Sequence, residues 1–184
     1  MPTPVINHVP GMISNVGKSL HAFGKDSTGQ IEYKFNQQGF RSLEDFDWVP
    51  AYAFFGCSLV FGIGVDQRDV FSSSFPGSQN YGLAGKYDNH DIMLVLDNFL
   101  KSDLCNDNTH MAVFWHQRDG LDLSDFYDQL QNYQILHFFC GTPLDRPRCY
   151  SVPKQLDSDV SQTHPGPKTH KTISKILCAL FDQS

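Results

Sequence analysis

The chain predicts an α/β fold: a three-layer α/β/α sandwich with a mainly parallel central sheet. Two observations carry this reading. Short apolar runs bounded by polar residues recur at Ala51–Phe55 (AYAFF), Thr109–Trp115 (THMAVFW) and Gln134–Phe139 (QILHFF), as buried strands do. Between and after them stand segments with apolar residues three and four apart, as in amphipathic helices. Strands that alternate with helices need crossover connections, so the sheet is expected to be mainly parallel and covered on both faces.

In chain order, residues 1–30 are rich in Pro, Gly, Ser and Asn without periodicity and read as an extended N-terminal arm. Residues 31–184 read as a single domain. Ile31–Phe35 (IEYKF) alternates apolar and polar, the pattern of a short strand; Asn36–Arg41 follows as a turn and Ser42–Val49 as an acidic linker. The run Ala51–Phe55 stops at Gly56-Cys57-Ser58 and continues into a second apolar segment with Gly62 and Gly64, a strand–turn–helix. Asp66–Gln79 reads as a loop, and Asn80–Gly85 as a glycine-punctuated connection. Asp88–Lys101 carries Ile92, Val95, Leu96, Phe99 and Leu100 on one helical face, with Asp88 or Asn89 as N-cap. His116–Gly120 is the loop after the second strand, Ser124–Gln131 a short helix, and Cys140–Thr163, broken by three prolines, mostly loop. Pro167–Phe181 closes the chain as a helix, with Pro167 in its first turn.

Composition narrows the class of function. At 184 residues the chain is long enough to bury a sizeable core, and 15 Phe residues supply one. A net charge of −6 argues against a surface for nucleic-acid phosphates. No apolar span of about 20 residues is present, so no membrane span is expected. The N-terminus lacks a basic start followed by an apolar core, and the five scattered cysteines lack CxxC spacing. Reduced thiols and a cytoplasmic location are therefore expected.

Two residues stand out chemically. Ser58 follows a strand at a glycine turn, which sets a hydroxyl at the carboxyl edge of a sheet beside a helix start. It is either a nucleophile or part of a turn that only packs a helix. His164 lies in Thr163-His164-Pro165-Gly166-Pro167, and Pro165 keeps it out of helical geometry on a loop before the last helix. A neutral histidine there can accept a hydroxyl proton, or simply be an exposed loop residue. A metal site at His164 and His170 with Asp157 and Asp159 is disfavoured, because the histidine spacing does not share a helical face. Trp115, Phe114, Phe138 and Phe139 read as core residues rather than a binding platform.

Taken together these stretches resemble the SGNH (GDSL-like) hydrolase family, from Tyr33 to Leu180. Gly56-Cys57-Ser58 with Phe61-Gly62-x-Gly64-Val65 looks like the family's first block, with Cys where Asp is usual. Asn80-x-x-x-x-Gly85 is similar to the second block, and His164-Pro165-Gly166-Pro167 to the last. Phe35-Asn36-x-x-Gly39-Phe40-Arg41 is similar to a segment that precedes the first block in some members. Two blocks depart from the pattern. His116-Gln117-Arg118-Asp119 stands where Gly-x-Asn-Asp is usual, and Ser161 where an Asp precedes the histidine by three. The segment before His164 is also short, as if a helix and an edge strand were missing.

The resemblance implies a flavodoxin-like sandwich and a serine esterase or acetylesterase without cofactor or metal, acting on a small-molecule or carbohydrate ester. Ser58 would be the nucleophile and His164 the base. Backbone N–H groups of Ser58 and Gly85, with Arg118 or Gln117, would form the oxyanion hole. Arg118 read on its own is equally a structural ion-pair partner. Asp159 would orient His164 if its loop folds back; otherwise Ser161 or a backbone carbonyl would do so. The alternative is an SGNH-fold binding or structural module. A nucleotide-binding α/β domain is disfavoured, since the first turn lacks a full GxGxxG. Neither nucleic acid nor membrane is expected as a partner.

Overall fold

A computed structural model describes residues 31, 33–42, 44–83, 87–116, 122–159 and 164–183. Strand β1 is Tyr52–Gly56, whose Ala53, Phe54 and Phe55 are fully buried. A strand apolar on both faces must be covered on both, and this one lies within a sheet between two partners. Helix α1 is the single turn Ser58–Phe61, followed by two 3₁₀ turns at Gln67–Asp69 and Phe71–Ser74. Then come β2 (Ser78–Gly82), α2 (Asn89–Leu100), β3 (His110–Trp115), α3 (Ser124–Leu130), β4 (Ile135–Phe139), β5 (Cys149–Ser151) and α4 (Pro167–Phe181). The sheet is five-stranded in the order β2-β1-β3-β4-β5, and every pairing is parallel.

The two faces are read directly from the aromatic contacts. Phe54, Phe114 and Phe138 alternate onto one face; Phe54 meets Phe71, Phe75 and Phe181 of α4, and Phe114 stacks on Phe138 at 4.8 Å between ring centroids. Phe55, Tyr81 and Trp115 point to the other face, where Phe55 stacks on Tyr81 and meets Phe99 of α2, and Trp115 stacks on Phe126 of α3. Each fully buried ring contributes about 2–3 kcal/mol of hydrophobic stabilisation. The three-layer α/β/α sandwich follows.

Four expectations change. Ile31–Phe35 forms no strand among the described residues: only the bridge Phe35–Arg41 forms, and Tyr33 turns inward, its hydroxyl accepting from the Gly64 N–H at 2.7 Å. Ser78–Gly82, the end of the expected loop and the start of the glycine-punctuated connection, is strand β2. It lacked an apolar signature because Gln79 and Asn80 are buried, satisfied by Trp48 O at 2.8 Å and by Val60 O and Ser72 Oγ. Gly82 sits where any Cβ would overlap the Phe61 backbone, so α1 can lie directly on β2. The proline-broken segment contains the short edge strand β5 that was expected to be missing. The apolar segment after Ser58 is helical for only one turn.

The asparagine and arginine upstream of β1 brace α1. Phe40 N–H donates to Asn36 Oδ1, closing the turn that presents Arg41. The Arg41 guanidinium, in a residue 1% exposed, donates to Phe61 O at 3.0 Å, to Gly62 O and to Val65 O at 2.6 Å. Its plane lies over the rings of Tyr33 and Phe61. Burial lowers its pKa to about 10, so it stays charged at neutral pH and neutralises the carbonyl end of α1. Among the described residues no helix is long and apolar enough to cross a membrane.

Candidate active site

The strand order reverses direction between β1 and β3, and the crevice beyond their carboxyl ends is where open α/β sheets bind ligands. β1 delivers Cys57 as the N-cap of α1 and Ser58 as its first residue, half-buried. Cys57 O accepts from the N–H groups of Val60 and Phe61, and Ser58 O accepts from those of Gly62 and Ile63. The Ser58 N–H donates to no acceptor among the described residues, which leaves it available to an oxygen in the crevice. β3 delivers His116, exposed, whose main chain is gripped by Asn89 at the start of α2: Asn89 Nδ2 donates to His116 O at 2.6 Å and His116 N–H donates to Asn89 Oδ1 at 2.9 Å. Asp88, not Asn89, is the N-cap, with a reciprocal bond from its own N–H to Asp91. That frees Asn89 to tie the second helix to the sheet edge.

The histidine is placed by the segment that leads into α4. The chain folds back through a bridge between Ser158 and Pro165, with Asp159 N–H donating to His164 O at 2.8 Å and His164 N–H to Asp159 Oδ1 at 3.2 Å. The other carboxylate oxygen lies 4.0 Å from His164 Nδ1. The Asp159 side chain is fully buried while the His164 ring is 30% exposed, so the carboxylate sits behind a ring that still faces outward. Asp159 occupies a notch at Gly64: a Cβ there would fall 2.6 Å from its Cγ and overlap its Oδ2. Gly64 adopts φ +70°, which an L-residue takes only with strain. The loop that follows α1 is thus shaped to hold the carboxylate beside the histidine.

Asp157, two residues earlier, does different work. It caps α4, accepting from Lys168 N–H at 2.8 Å and Thr169 N–H at 2.9 Å. Against the opposing effect of burial, these bonds hold its carboxyl below the usual range. His170 is packed on Phe71 and its Nδ1 accepts from the Phe71 N–H at 3.3 Å; burial lowers its pKa to about 4. It is a neutral core residue, and no group of three His, Cys, Asp or Glu positioned for a metal exists among the described residues. Trp115 is core too, donating from Nε1 to His137 Nδ1 at 3.1 Å.

The structure therefore brings Asp159 to His164 and sets the Asp159 carboxylate against Gly64 in the loop that follows α1. No hydrogen bond joins Ser58 Oγ to the His164 ring among the described residues. Gly85, Gln117, Arg118 and Ser161 lie outside the described residues. Sequence reasoning did not single out Gly64, Asn89 or Arg41 for the site. Only Gly64 and Arg41 carried a signal, through the motifs that contained them. No family model, curated protein or solved structure matches the chain.

Proposed function

We propose that the chain is an SGNH-type serine hydrolase that cleaves an ester or acetyl group from a carbohydrate or small polar molecule. The observation that carries the reading is the buried Asp159 carboxylate beside His164 Nδ1, held there by Gly64. At 4.0 Å the carboxylate is beyond hydrogen-bond reach of Nδ1; closing that gap on substrate binding would hold the proton on Nδ1 and leave Nε2 as the basic nitrogen. In the reaction Ser58 Oγ attacks the carbonyl carbon as Nε2 takes its proton. The tetrahedral oxyanion is met by the Ser58 N–H, with Gly85 and Arg118 or Gln117 as the further donors the family resemblance implies. Nε2 then returns the proton to the leaving alcohol, and water repeats the sequence on the acyl-enzyme. The Ser58–His164 bond has to close on substrate binding, as catalytic hydrogen bonds often do.

That open bond is also the observation favouring the second reading, a binding module that keeps the fold without turnover. Hydrolysis of short-chain aryl acetates separates the two. The hydrolase turns them over and Ser58→Ala does not; equal background rates for both proteins leave only the module.

A further inference from the structure

The two outer layers of the sandwich carry opposite charge. On one side of the sheet, α2 and α3 border a groove of about 620 Å³. Its lining combines apolar Met93, Leu94 and Phe126 with the carboxylates of Asp97, Asp122 and Asp125. The lysine that lines it, Lys101, is already ion-paired to Asp97 at 2.6 Å. On the other side lies α4, which contains no acidic residue. Its Lys168, Lys171 and Lys175 recur three and four positions apart, so they share one helical face, and all three are exposed. The carboxylates near that face have other partners. Asp157 accepts from main-chain N–H groups of the helix, and Asp66 and Asp69 lie against Arg68. None of the three lysines forms an ion pair among the described residues. Because the sheet stands between the layers, the basic face of one molecule cannot reach its own acidic groove. It can reach that of another.

We propose that the groove between α2 and α3 is a docking site for the α4 face of a second copy of this chain. The lengths agree. Lys168 to Lys175 spans about 10 Å of helix, and the groove follows α2 from His90 to Lys101, about 16 Å. Lysine stems lie along Met93, Leu94 and Phe126 while their ammonium groups meet the groove carboxylates. At a net charge of −6 two copies repel one another in general, so this complementary orientation is the one that electrostatics favours. The contact is head-to-tail: each docked copy still offers a groove on one side and an α4 face on the other. Copies therefore add in series unless the rotation between them closes a ring. Neither surface contains Ser58, His164 or Asp159, so the association does not depend on the hydrolase reading.

Sedimentation equilibrium of the full chain tests this, in reducing buffer so that exposed Cys178 forms no cross-link. The weight-average mass should rise with concentration past twice the 20.8 kDa monomer. Raising salt from about 50 mM to about 500 mM should weaken the association at least about tenfold, since exposed charges are screened. Lys171→Glu with Lys175→Glu reverses the helix face, and Asp97→Lys with Asp125→Lys reverses the groove. Each double variant alone should stay monomeric, while an equimolar mixture of the two should associate, because each then complements the other. A wild-type chain that remains monomeric at low salt up to about 0.5 mM, beyond the range of weak specific contacts, overturns the proposal. So does association that persists in either double variant alone, or a mixture of folded variants that stays monomeric. The wild-type measurement decides the question even where a variant folds poorly.

Discussion

Gly64→Ala puts the coupling between the nucleophile loop and the histidine loop to a quantitative test. The substitution has two separable effects. A backbone held at φ +70° costs an L-residue about 1–2 kcal/mol wherever it occurs. The new Cβ also falls 2.6 Å from Asp159 Cγ and 2.7 Å from its Cβ, against a normal carbon–carbon separation of roughly 3.5–4 Å. Relieving that overlap means moving a buried carboxylate, and overpacking of this kind adds about 1–3 kcal/mol. Urea unfolding should therefore show Gly64→Ala destabilised by about 2–5 kcal/mol, the sum of those ranges. In an Asp159→Gly background every overlapping atom is gone, so the same change should cost only the backbone part. The expected coupling energy is at least about 1 kcal/mol. Ester hydrolysis should fall in Gly64→Ala alongside the displaced carboxylate. Additivity of the two substitutions within about 0.5 kcal/mol would refute the claim that Gly64 exists to seat Asp159.

Two further outcomes follow from the buried cations and imidazoles. Arg41→Met strips charged donors from three buried carbonyls and should cost about 3 kcal/mol in urea unfolding, while Arg41→Lys, with a compact ammonium, should retain only part of that stability. The pKa values of His137 and His170 are both lowered to about 4, chiefly by burial, while in the unfolded chain the two imidazoles titrate near their ordinary 6.5. The unfolded state therefore binds more protons across that window. Stability should be full above pH 6.5 and decline as pH falls towards 4, by roughly 3 kcal/mol for each histidine. His137→Gln and His170→Gln should each flatten that acid limb of an unfolding-midpoint profile.

How far these features could be read from the residues depends on what each element uses to hold itself in place. β1, β3 and β4 are continuous apolar runs, and α2 and α4 show helical spacing, so hydrophobic burial alone marks them. β2 is Ser-Gln-Asn-Tyr-Gly, with one large apolar residue. Its buried amides are held by partners around 8 to 31 residues away, which no local pattern encodes. β5 is three residues at an edge and only half-buried, too short for any periodicity. The IEYKF alternation was real, but no strand among the described residues lies beside it, and Tyr33 spends its side chain on Phe61 and Gly64. For the candidate site, Ser58 and His164 drew attention through the glycine and proline chemistry around them. Asp159 was legible only as one of several neighbours of His164. Its selection comes from the Ser158–Pro165 bridge and from the notch at Gly64, which is 95 positions away in sequence.

The central claim is that Ser58 is a nucleophile made reactive by His164 and Asp159. Its most direct measurement is the intact mass of the protein after incubation with a serine-reactive fluorophosphonate, followed over time. The account predicts a single adduct on Ser58, absent from Ser58→Ala. It forms at least about 100-fold more slowly in His164→Ala, because positioned bases contribute factors of that order. Asp159→Asn should slow it as well, by up to about 10⁴-fold, as when loss of an orienting carboxylate leaves the wrong tautomer. An unlabelled wild-type chain, or labelling that proceeds at the same rate in His164→Ala, would contradict it.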